Sequence, residues 1–284
     1  MMTADAQRIR AALDARIINQ SSGEDPNPLR RRVAYQRMLR RIGLDADGGW
    51  VLKGGFLLET RIDTRTRATK DLDLAMRTVG NSADVVRLLQ QTLAPDPDGD
   101  GFVFSVSRGT ALAEGARGSQ AWRVTVDASL AGRTFAKLRL DLAERLDEIG
   151  DSTEQIEIGL PVHGMRLGAA VVTAVNIAQH AAEKFHALSQ TFPDGRQNTR
   201  VKDLLDIILL VEANLLPDPN LPARILSIFT SRNDSAPPQT LPVPPASWRV
   251  DYRTLALTTA TRTTDLDSAF LIAQTIFLTN KLPD

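Results

Sequence analysis

The segment from Leu52 to Ala75 constrains the fold of this chain more than any other. It follows a short apolar run that is typical of a β-strand, and a Gly-Gly pair then introduces an apolar helical pattern. A basic, threonine-rich loop comes next, and the alternating residues 71–74 (DLDL) predict a second strand. Because successive side chains of a strand point to opposite faces, we expect Asp71 and Asp73 to lie side by side on one face.

Two carboxylates this close repel each other unless a cation lies between them. Mg²⁺ prefers oxygen ligands and commonly combines one or two carboxylates with substrate phosphates, so Asp71 and Asp73 predict a divalent-metal site. The preceding Gly54 and Gly55 would present backbone N–H groups at a helix start to an anion, and glycine lets a phosphate approach the backbone closely. The simpler alternatives are a plain turn at the glycines and a solvated strand edge at the aspartates.

The order and spacing of these residues resemble the nucleotidyltransferase signature of the DNA polymerase β superfamily, a Gly-Gly or Gly-Ser followed by D-x-D. More narrowly, they resemble the AbiEii toxin family, whose pattern is K-G-G followed by R-x-T-x-D-[LI]-D. A second AbiEii-like pattern, E-K-[LF]-H-A-L followed by R-x-K-D-x-x-D, matches residues 183–188 and 200–206. The first pattern is carried here by Lys53, Gly54, Gly55, Arg67, Thr69, Asp71 and Asp73.

The resemblance implies a mixed α/β (α+β) fold, in which a polymerase-β-like nucleotidyltransferase domain with a mixed sheet precedes a C-terminal helical domain. We place the boundary near residue 160, where the composition turns helical. Residues 1–160 then hold the nucleotidyltransferase domain with its N-terminal helices, and residues 161–284 hold the helical domain. The active site is expected between the two.

A third carboxylate is expected from the strand-like run Phe135–Leu142, whose alternation puts Lys137, Arg139 and Asp141 on one face. In the superfamily, a third carboxylate lies on such a strand beside the D-x-D pair. The resemblance therefore assigns Asp71, Asp73 and Asp141 to the metal. The alternative is that Asp141 only pairs with Arg139 or with a cation on a neighbouring strand.

The resemblance also implies that Lys184 and Asp203, from the helical domain, complete the active site. Lys184 can neutralise a nucleotide phosphate as a point charge, and Asp203 can orient Lys184 or accept the proton of the attacking hydroxyl. The alternative is a buried Lys–Asp pair between two helices, and we expect Asp206 to support that helix contact. The residues expected to bind the nucleotide are Lys53, Gly54, Gly55, Arg67, Thr69 and Lys184.

The activity implied is transfer of a nucleoside monophosphate from an NTP to an acceptor hydroxyl, with Mg²⁺ or Mn²⁺ as cofactor. Toxins of the family act on RNA, some by adding nucleotides to the tRNA 3′ end, which blocks translation. The implied partners are therefore an NTP, tRNA and an antitoxin from a separate gene. Two alternatives remain open: the same transfer to a small molecule or a protein, and a non-catalytic nucleotide-binding module.

The composition restricts the partners and the site chemistry that this chain can have. The formal net charge is zero, so a nucleic-acid partner would need a local basic patch. The arginine-rich run Leu29–Ile42, predicted to be a helix, offers either a solvated face or an RNA contact surface that includes Arg37, Arg40 and Arg41. The absence of cysteine excludes disulfides, thiolate metal sites and cysteine nucleophiles. With no signal peptide and no long apolar run, we expect a soluble, cytoplasmic protein without membrane contact.

The remaining segments serve mainly to place these motifs. Asp96–Gly101 (DPDGDG) copies half of an EF-hand loop but has Ser107 where the bidentate glutamate belongs, so we expect a loop without calcium. Three strand-like runs between residues 102 and 142 suit antiparallel hairpins. We expect an irregular connection over 147–167 and one long helix over Ala169–Ser189. His186 is expected to be a packed, hydrogen-bonded side chain.

Overall fold

The computed structural model describes residues 4–45, 48–62, 69–77, 80–107, 109–112, 120–192 and 195–279. The chain forms two compact units, each assembled from separate segments. Unit 1 comprises Met1–Phe56, Thr69–Asp147 and Glu154–Ala174, and unit 2 comprises Leu57–Ala68, Glu148–Thr153 and Val175–Asp284. The position near residue 160 that we proposed as a domain boundary falls within the last segment of unit 1.

The secondary structure alternates helices and strands up to Val175 and is helical afterwards. The elements are α1 (Ala4–Ser21), α2 (Asn27–Ile42), β1 (Val51–Lys53), α3 (Gly54–Arg61), β2 (Leu72–Met76), α4 (Ser82–Leu93), β3 (Phe102–Val106), β4 (Thr110–Ala111), β5 (Ala121–Leu130), β6 (Arg133–Glu144), α5 (Leu146–Ile149), β7 (Thr153–Ile158), β8 (Ala170–Val175), α6 (Ile177–Leu188), α7 (Val201–Glu212), α8 (Leu221–Asn233), α9 (Trp248–Thr258) and α10 (Leu266–Thr279).

Within the described residues, eight strands form one mixed sheet, as expected. Its order is β3-β5-β6-β2-β1-β8-β7, and the short β4 pairs with β5. Strands β3, β5 and β6 are antiparallel neighbours, which confirms the predicted hairpins. Strand β2 runs parallel to β6 and antiparallel to β1. The central position of β2 brings the D-x-D segment next to the strand that carries Asp141.

One face of the central strands is apolar and buried. Side chains of β5 alternate between buried and partly exposed along the whole strand. Leu72 and Leu74 of β2 and Leu140 and Leu142 of β6 are likewise buried, as the alternation predicted. The polar residues between them are left on the opposite face. Burying these leucines stabilises the strands and so fixes the direction in which the aspartates project.

The expectations for residues 147–189 were wrong in two places. The segment expected to be irregular contains β7, and the long predicted helix is instead β8 followed by α6. Residues 170–175 (AVVTAV) are rich in β-branched side chains, which favour a pleated strand over a helix. Asn176 then begins α6 because its side chain accepts a hydrogen bond from the backbone N–H of Gln179, 2.9 Å away.

Two arginines of helix α2 fit neither reading of its charges, the solvated face or the RNA contact surface. Arg37 and Arg41 are neither solvated nor available to RNA, since they are buried at 0% and 2% exposure. They pair with the acidic loop that resembled half of an EF-hand. Arg37 Nε lies 2.7 Å from Asp100 Oδ2, and Arg41 Nη2 lies 2.9 Å from Asp100 Oδ1. Arg40 pairs with Asp98 of the same loop at 3.2 Å.

The loop therefore binds guanidinium groups within the fold. Burial alone raises the pKa of Asp100, but the hydrogen bond and charge of Arg41 outweigh burial and hold that pKa below its usual value. The pKa of Asp98 is lowered as well, chiefly by its hydrogen bond from Arg40. This arginine–aspartate cluster joins α2 to the start of β3.

Unit 2 has its own apolar core, formed by α6 to α10 together with Leu58 and Ile62 of the α3 region. The proline-rich stretch around residues 235–245 has no helix or strand, as expected, but Leu241 within it is buried in this core. No helix among the described residues combines the length and apolar character needed to cross a membrane.

Candidate active site

Four charged side chains form a row across four neighbouring strands of unit 1. Lys53 of β1 stands opposite Asp73 of β2, and Asp73 stands opposite Asp141 of β6. Asp141 in turn stands opposite Arg123 of β5. Residues directly opposite one another on adjacent strands share a face of the sheet and lie about 5 Å apart. Asp73 and Asp141 are therefore side-by-side carboxylates on the polar face.

Asp71 lies immediately before β2 and continues this face. Its carboxylate accepts a hydrogen bond from Nε of Arg139, which is two residues before Asp141 on β6. The hydroxyl of Tyr35 lies 3.0 Å from the carbonyl oxygens of both Lys70 and Arg139, so α2 ties the start of β2 to β6. Burial raises the pKa of Tyr35 to about 12, and the hydroxyl remains a hydrogen-bonding group at neutral pH.

Gly54 is required where it stands. Its φ of +70° lies in the region that disfavours side chains, and a Cβ built on it would overlap the Asp73 carboxylate. The backbone at the start of α3 consequently runs directly beside an aspartate of the D-x-D pair. This is the close approach between glycine and acidic strand that the sequence predicted.

Two carboxylates of this face, Asp141 and Asp71, are each held by an arginine. Arg123 Nε and Nη2 lie 2.8 and 2.7 Å from the two carboxylate oxygens of Asp141, a bidentate pair. This contact raises the pKa of the Arg123 guanidinium, and the more distant Asp71 and Asp73 add to the effect. The hydrogen bond to Asp71 likewise raises the pKa of Arg139. Asp141 thus does pair with a cation of a neighbouring strand, as one of our alternatives held.

The residues present fit a divalent cation by their chemistry. Asp71, Asp73 and Asp141 supply hard oxygen donors on one face, and the missing side chain of Gly54 leaves room for the Asp73 carboxylate beside the backbone. Across the described ranges, however, no three acidic or histidine side chains converge closely enough to form a metal-binding cluster. Asp71 and Asp141 are each bound to an arginine instead.

Unit 2 contains the second group of expected site residues. Lys184 of α6 donates hydrogen bonds to Asp203 Oδ1 at 3.3 Å and to Asp206 Oδ2 at 2.6 Å, both on α7. The Lys184 side chain is 7% exposed, that of Asp203 19% and that of Asp206 1%. Asp206 therefore makes the shorter and drier contact, which matches its expected role between helices. Asp203 is the more accessible partner.

Two further residues of unit 2 lie near Lys184 and were not singled out from the sequence. Arg61 Nη1 lies 3.1 Å from Nδ1 of His180, which is one turn before Lys184 on α6. Burial lowers the pKa of His180 well below its usual value, so the ring is neutral. Since Arg61 can only donate, Nδ1 is the acceptor and the proton is on Nε2. That buried Nε2 has no hydrogen-bond partner among the residues that the structure describes.

The expected site residues thus fall into two sets. Unit 1 brings Lys53, Gly54, Asp71, Asp73 and Asp141 together, and unit 2 brings Lys184 and Asp203 together. Gly55 begins α3 beside Gly54, and Thr69 is half-buried two residues before Asp71. Arg67 lies outside the described residues.

Arg123 was missed because its role depends on strand register. Alternation along residues 121–130 does predict that Arg123 faces away from the core. Nothing local indicates that it stands opposite Asp141. His186, by contrast, is the packed histidine we expected, with Nε2 3.1 Å from Asn233 Oδ1 and its ring against Phe229.

Comparison with known proteins gives a family and a fold. The family model described as nucleotidyl transferase AbiEii toxin, type IV TA system, matches residues 37–271. No curated protein matches the sequence significantly. Among solved structures, MenT4, a nucleotidyltransferase toxin from Mycobacterium tuberculosis H37Rv, is similar with a TM-score of 0.57. The similarity covers 97% of this chain and 90% of that one at 18% sequence identity, so it supports the fold.

Proposed function

The chain belongs to the AbiEii family of nucleotidyltransferase toxins and is a nucleotidyltransferase, and we propose that it transfers a nucleoside monophosphate from an NTP to the 3′ end of tRNA in a Mg²⁺-dependent reaction. The observation that carries the proposal is the in-register pair Asp73 and Asp141 beside the Gly54 backbone. The acceptor oxygen attacks the α-phosphorus, the bond to the β-phosphate oxygen breaks, and pyrophosphate leaves. The acceptor hydroxyl loses its proton.

The residues of unit 1 bind the cation and the phosphates in this proposal. Asp71, Asp73 and Asp141 hold Mg²⁺, which when bound offsets charge on the α-phosphate and lowers the pKa of the acceptor hydroxyl. Gly54 and Gly55 admit the triphosphate to the backbone N–H groups at the start of α3. Lys53, Thr69 and Arg67 complete the phosphate contacts, as the family pattern implies.

Lys184 contributes a point charge to the triphosphate, and Asp203 orients Lys184 or accepts the hydroxyl proton. The contact between Lys184 and Asp203 supports the orienting role, since the lysine is nearly buried and a second contact to Asp206 restricts it further. In this proposal, residues of both sequence motifs take part in the same reaction. They also make unit 2 essential for activity.

The test for the acceptor uses purified protein, Mg²⁺, total cellular RNA and one labelled NTP at a time. We expect label at the 3′ end of the tRNA fraction and none with Asp73→Ala. Label appearing in a larger RNA, or undiminished with Asp73→Ala, would contradict the proposal. Inhibition of translation in the same extract, relieved by an antitoxin from a separate gene, is the expected biological outcome. Because tRNA and NTPs are cytoplasmic, we place the reaction in the cytoplasm.

Two observations favour a second class of acceptor. The arginines that we expected to contact RNA form ion pairs with Asp98 and Asp100. The chain also has no net charge. Both facts suit transfer to a small molecule or to a protein hydroxyl. Label in a protein band or a low-mass product, with none in RNA, would select this alternative while leaving the transferase assignment intact.

A further inference from the structure

The polar face of the sheet in unit 1 is balanced in charge before any ligand arrives. Two of its carboxylates, Asp71 and Asp141, each have an arginine from β5 or β6 as counter-ion. Three aspartates so close together would otherwise repel one another strongly. The arginines therefore offset the charges of Asp71 and Asp141.

The pairing uses the same atoms that a cation needs. Both oxygens of Asp141 accept hydrogen bonds from Arg123, at 2.8 and 2.7 Å. Asp71 accepts one from Arg139. A divalent cation that binds these carboxylates competes with the guanidinium groups for the same oxygens and their negative charge. Cation binding therefore weakens the guanidinium contacts, and the guanidinium contacts weaken cation binding.

Both arginines are able to leave. Their side chains are 41% and 45% exposed, whereas Arg37 in the structural cluster is fully buried. Partly exposed ion pairs contribute little net stability because water and salt screen them. A guanidinium group released from a carboxylate binds phosphate well, since its planar N–H fork matches two phosphate oxygens.

We propose that Arg123 and Arg139 are exchangeable counter-ions that couple cation binding to nucleotide binding, an inference that rests on the proposed function. Without nucleotide they occupy the carboxylates and keep the affinity for a divalent cation low. When an NTP binds, its anionic oxygens accept hydrogen bonds from the guanidinium groups, and the carboxylates become available to the cation. Each ligand consequently strengthens the binding of the other, as thermodynamic linkage requires.

The test measures Mn²⁺ binding from the electron paramagnetic resonance signal of the free ion, with and without a non-hydrolysable triphosphate. Without nucleotide, Arg123→Met and Arg139→Met should bind Mn²⁺ about two- to fivefold more tightly than the wild type, the range that a partly exposed ion pair supports. The variants should also bind the triphosphate more weakly and show less cooperativity between the two ligands. Arg123→Lys should lie between, because lysine keeps the charge but not the fork.

Two controls isolate the site. Lys137→Met removes an exposed cation of the same strand and face, whose nearest carboxylate, Asp127, is 3.9 Å away, and it should behave as wild type. Adding Asp73→Asn to Arg123→Met should abolish the gain in Mn²⁺ affinity. Circular dichroism should show the same fold for every variant.

Unchanged or weaker Mn²⁺ binding by both methionine variants without nucleotide would overturn this proposal and leave the proposed function standing. A wild type that binds no Mn²⁺ even with the triphosphate would overturn both, because the metal assignment itself would then be wrong. A protein that binds cation and nucleotide cooperatively but labels no RNA would contradict only the acceptor assignment.

Discussion

At the scale of single residues, Gly54 connects backbone geometry to chemistry most directly. A Cβ at this position meets the Asp73 carboxylate, while Gly150, also at positive φ, has nothing within 4 Å of its would-be Cβ. We predict that Gly150→Ala loses roughly 1–2 kcal/mol of unfolding free energy from the left-handed conformation, and that Gly54→Ala loses more because its Cβ also meets Asp73. Only Gly54→Ala should also lose nucleotide transfer. Urea unfolding and a transfer assay measure the two effects, and equal activity of both variants would remove the proposed role of the close approach.

The arginine–aspartate cluster of unit 1 gives a prediction for stability. Asp100→Asn leaves Arg37 and Arg41 buried with their main counter-ion removed, which should cost about 3–5 kcal/mol. Asp5→Asn is the matched control, because Asp5 pairs with Arg8 on the exposed surface, and it should change stability little. Chemical denaturation of the two variants measures the difference. A small loss with Asp100→Asn would mean that the cluster does not hold α2 to the loop.

The same cluster sets a pH dependence. The pKa values of Asp98 and Asp100 are lower in the folded protein than the usual 3.8. Their contribution to stability is therefore fully present above about pH 4 and is lost as the pH falls through the lower folded values. We predict that the stability difference between wild type and Asp98→Asn is constant from pH 7 to about pH 5 and shrinks below about pH 4. Urea unfolding across this range measures it, and a difference that grows on acidification would contradict the sign.

At the scale of elements, the contact between α6 and α7 combines packing with chemistry. Asp206 is buried and 2.6 Å from Lys184, whereas Asp203 is more exposed and 3.3 Å away. Asp206→Asn should lower the unfolding free energy by about 3–5 kcal/mol, because the buried ammonium group of Lys184 loses its nearer counter-ion. Asp203→Asn should cost about 1 kcal/mol or less but reduce transfer sharply.

A double variant separates the two roles of this contact. Lys184→Met with Asp206→Leu replaces a buried ion pair by apolar side chains and should restore most of the stability lost by Asp206→Asn. It should be inactive, because it lacks the charge that we propose to bind the phosphates. Thermal unfolding measures the stability of the double variant, and the transfer assay measures its activity. An active double variant would reduce Lys184 to the structural pair that we considered from the sequence.

Sequence patterns predicted elements well where one signal dominated. The D-x-D strand and the hairpins were predicted, since alternation is a local property. The strand β8 was missed because its apolar run leads directly into α6, and only the Asn176 cap marks the change. Arg123 and the buried arginines of α2 were missed because their partners are distant in sequence. Register and tertiary pairing decide such roles, and neither is written in local periodicity.

At the scale of the whole molecule, some of the charges that looked available for binding are used inside the fold. The net charge is zero and Arg37 and Arg41 are buried, so neither of these two arginines is available to bind the acceptor. We predict that Arg40→Gln, which removes the most accessible arginine of the α2 cluster, leaves both RNA affinity and its salt dependence unchanged. Filter binding at several salt concentrations measures this. A reduced salt slope would restore α2 as an RNA contact.

The central claim is that the in-register carboxylates of β2 and β6 perform nucleotide transfer, and the most direct measurement is the rate of label incorporation by three matched variants. Asp73→Asn and Asp141→Asn should each lower the rate about 10²–10³-fold, as expected for loss of a preorganised charge at a reaction centre. Asp127→Asn changes an exposed carboxylate on the same face of β5, opposite Lys137, and should retain the wild-type rate. Wild-type rates from Asp73→Asn and Asp141→Asn, or an equal loss from all three, would contradict the account.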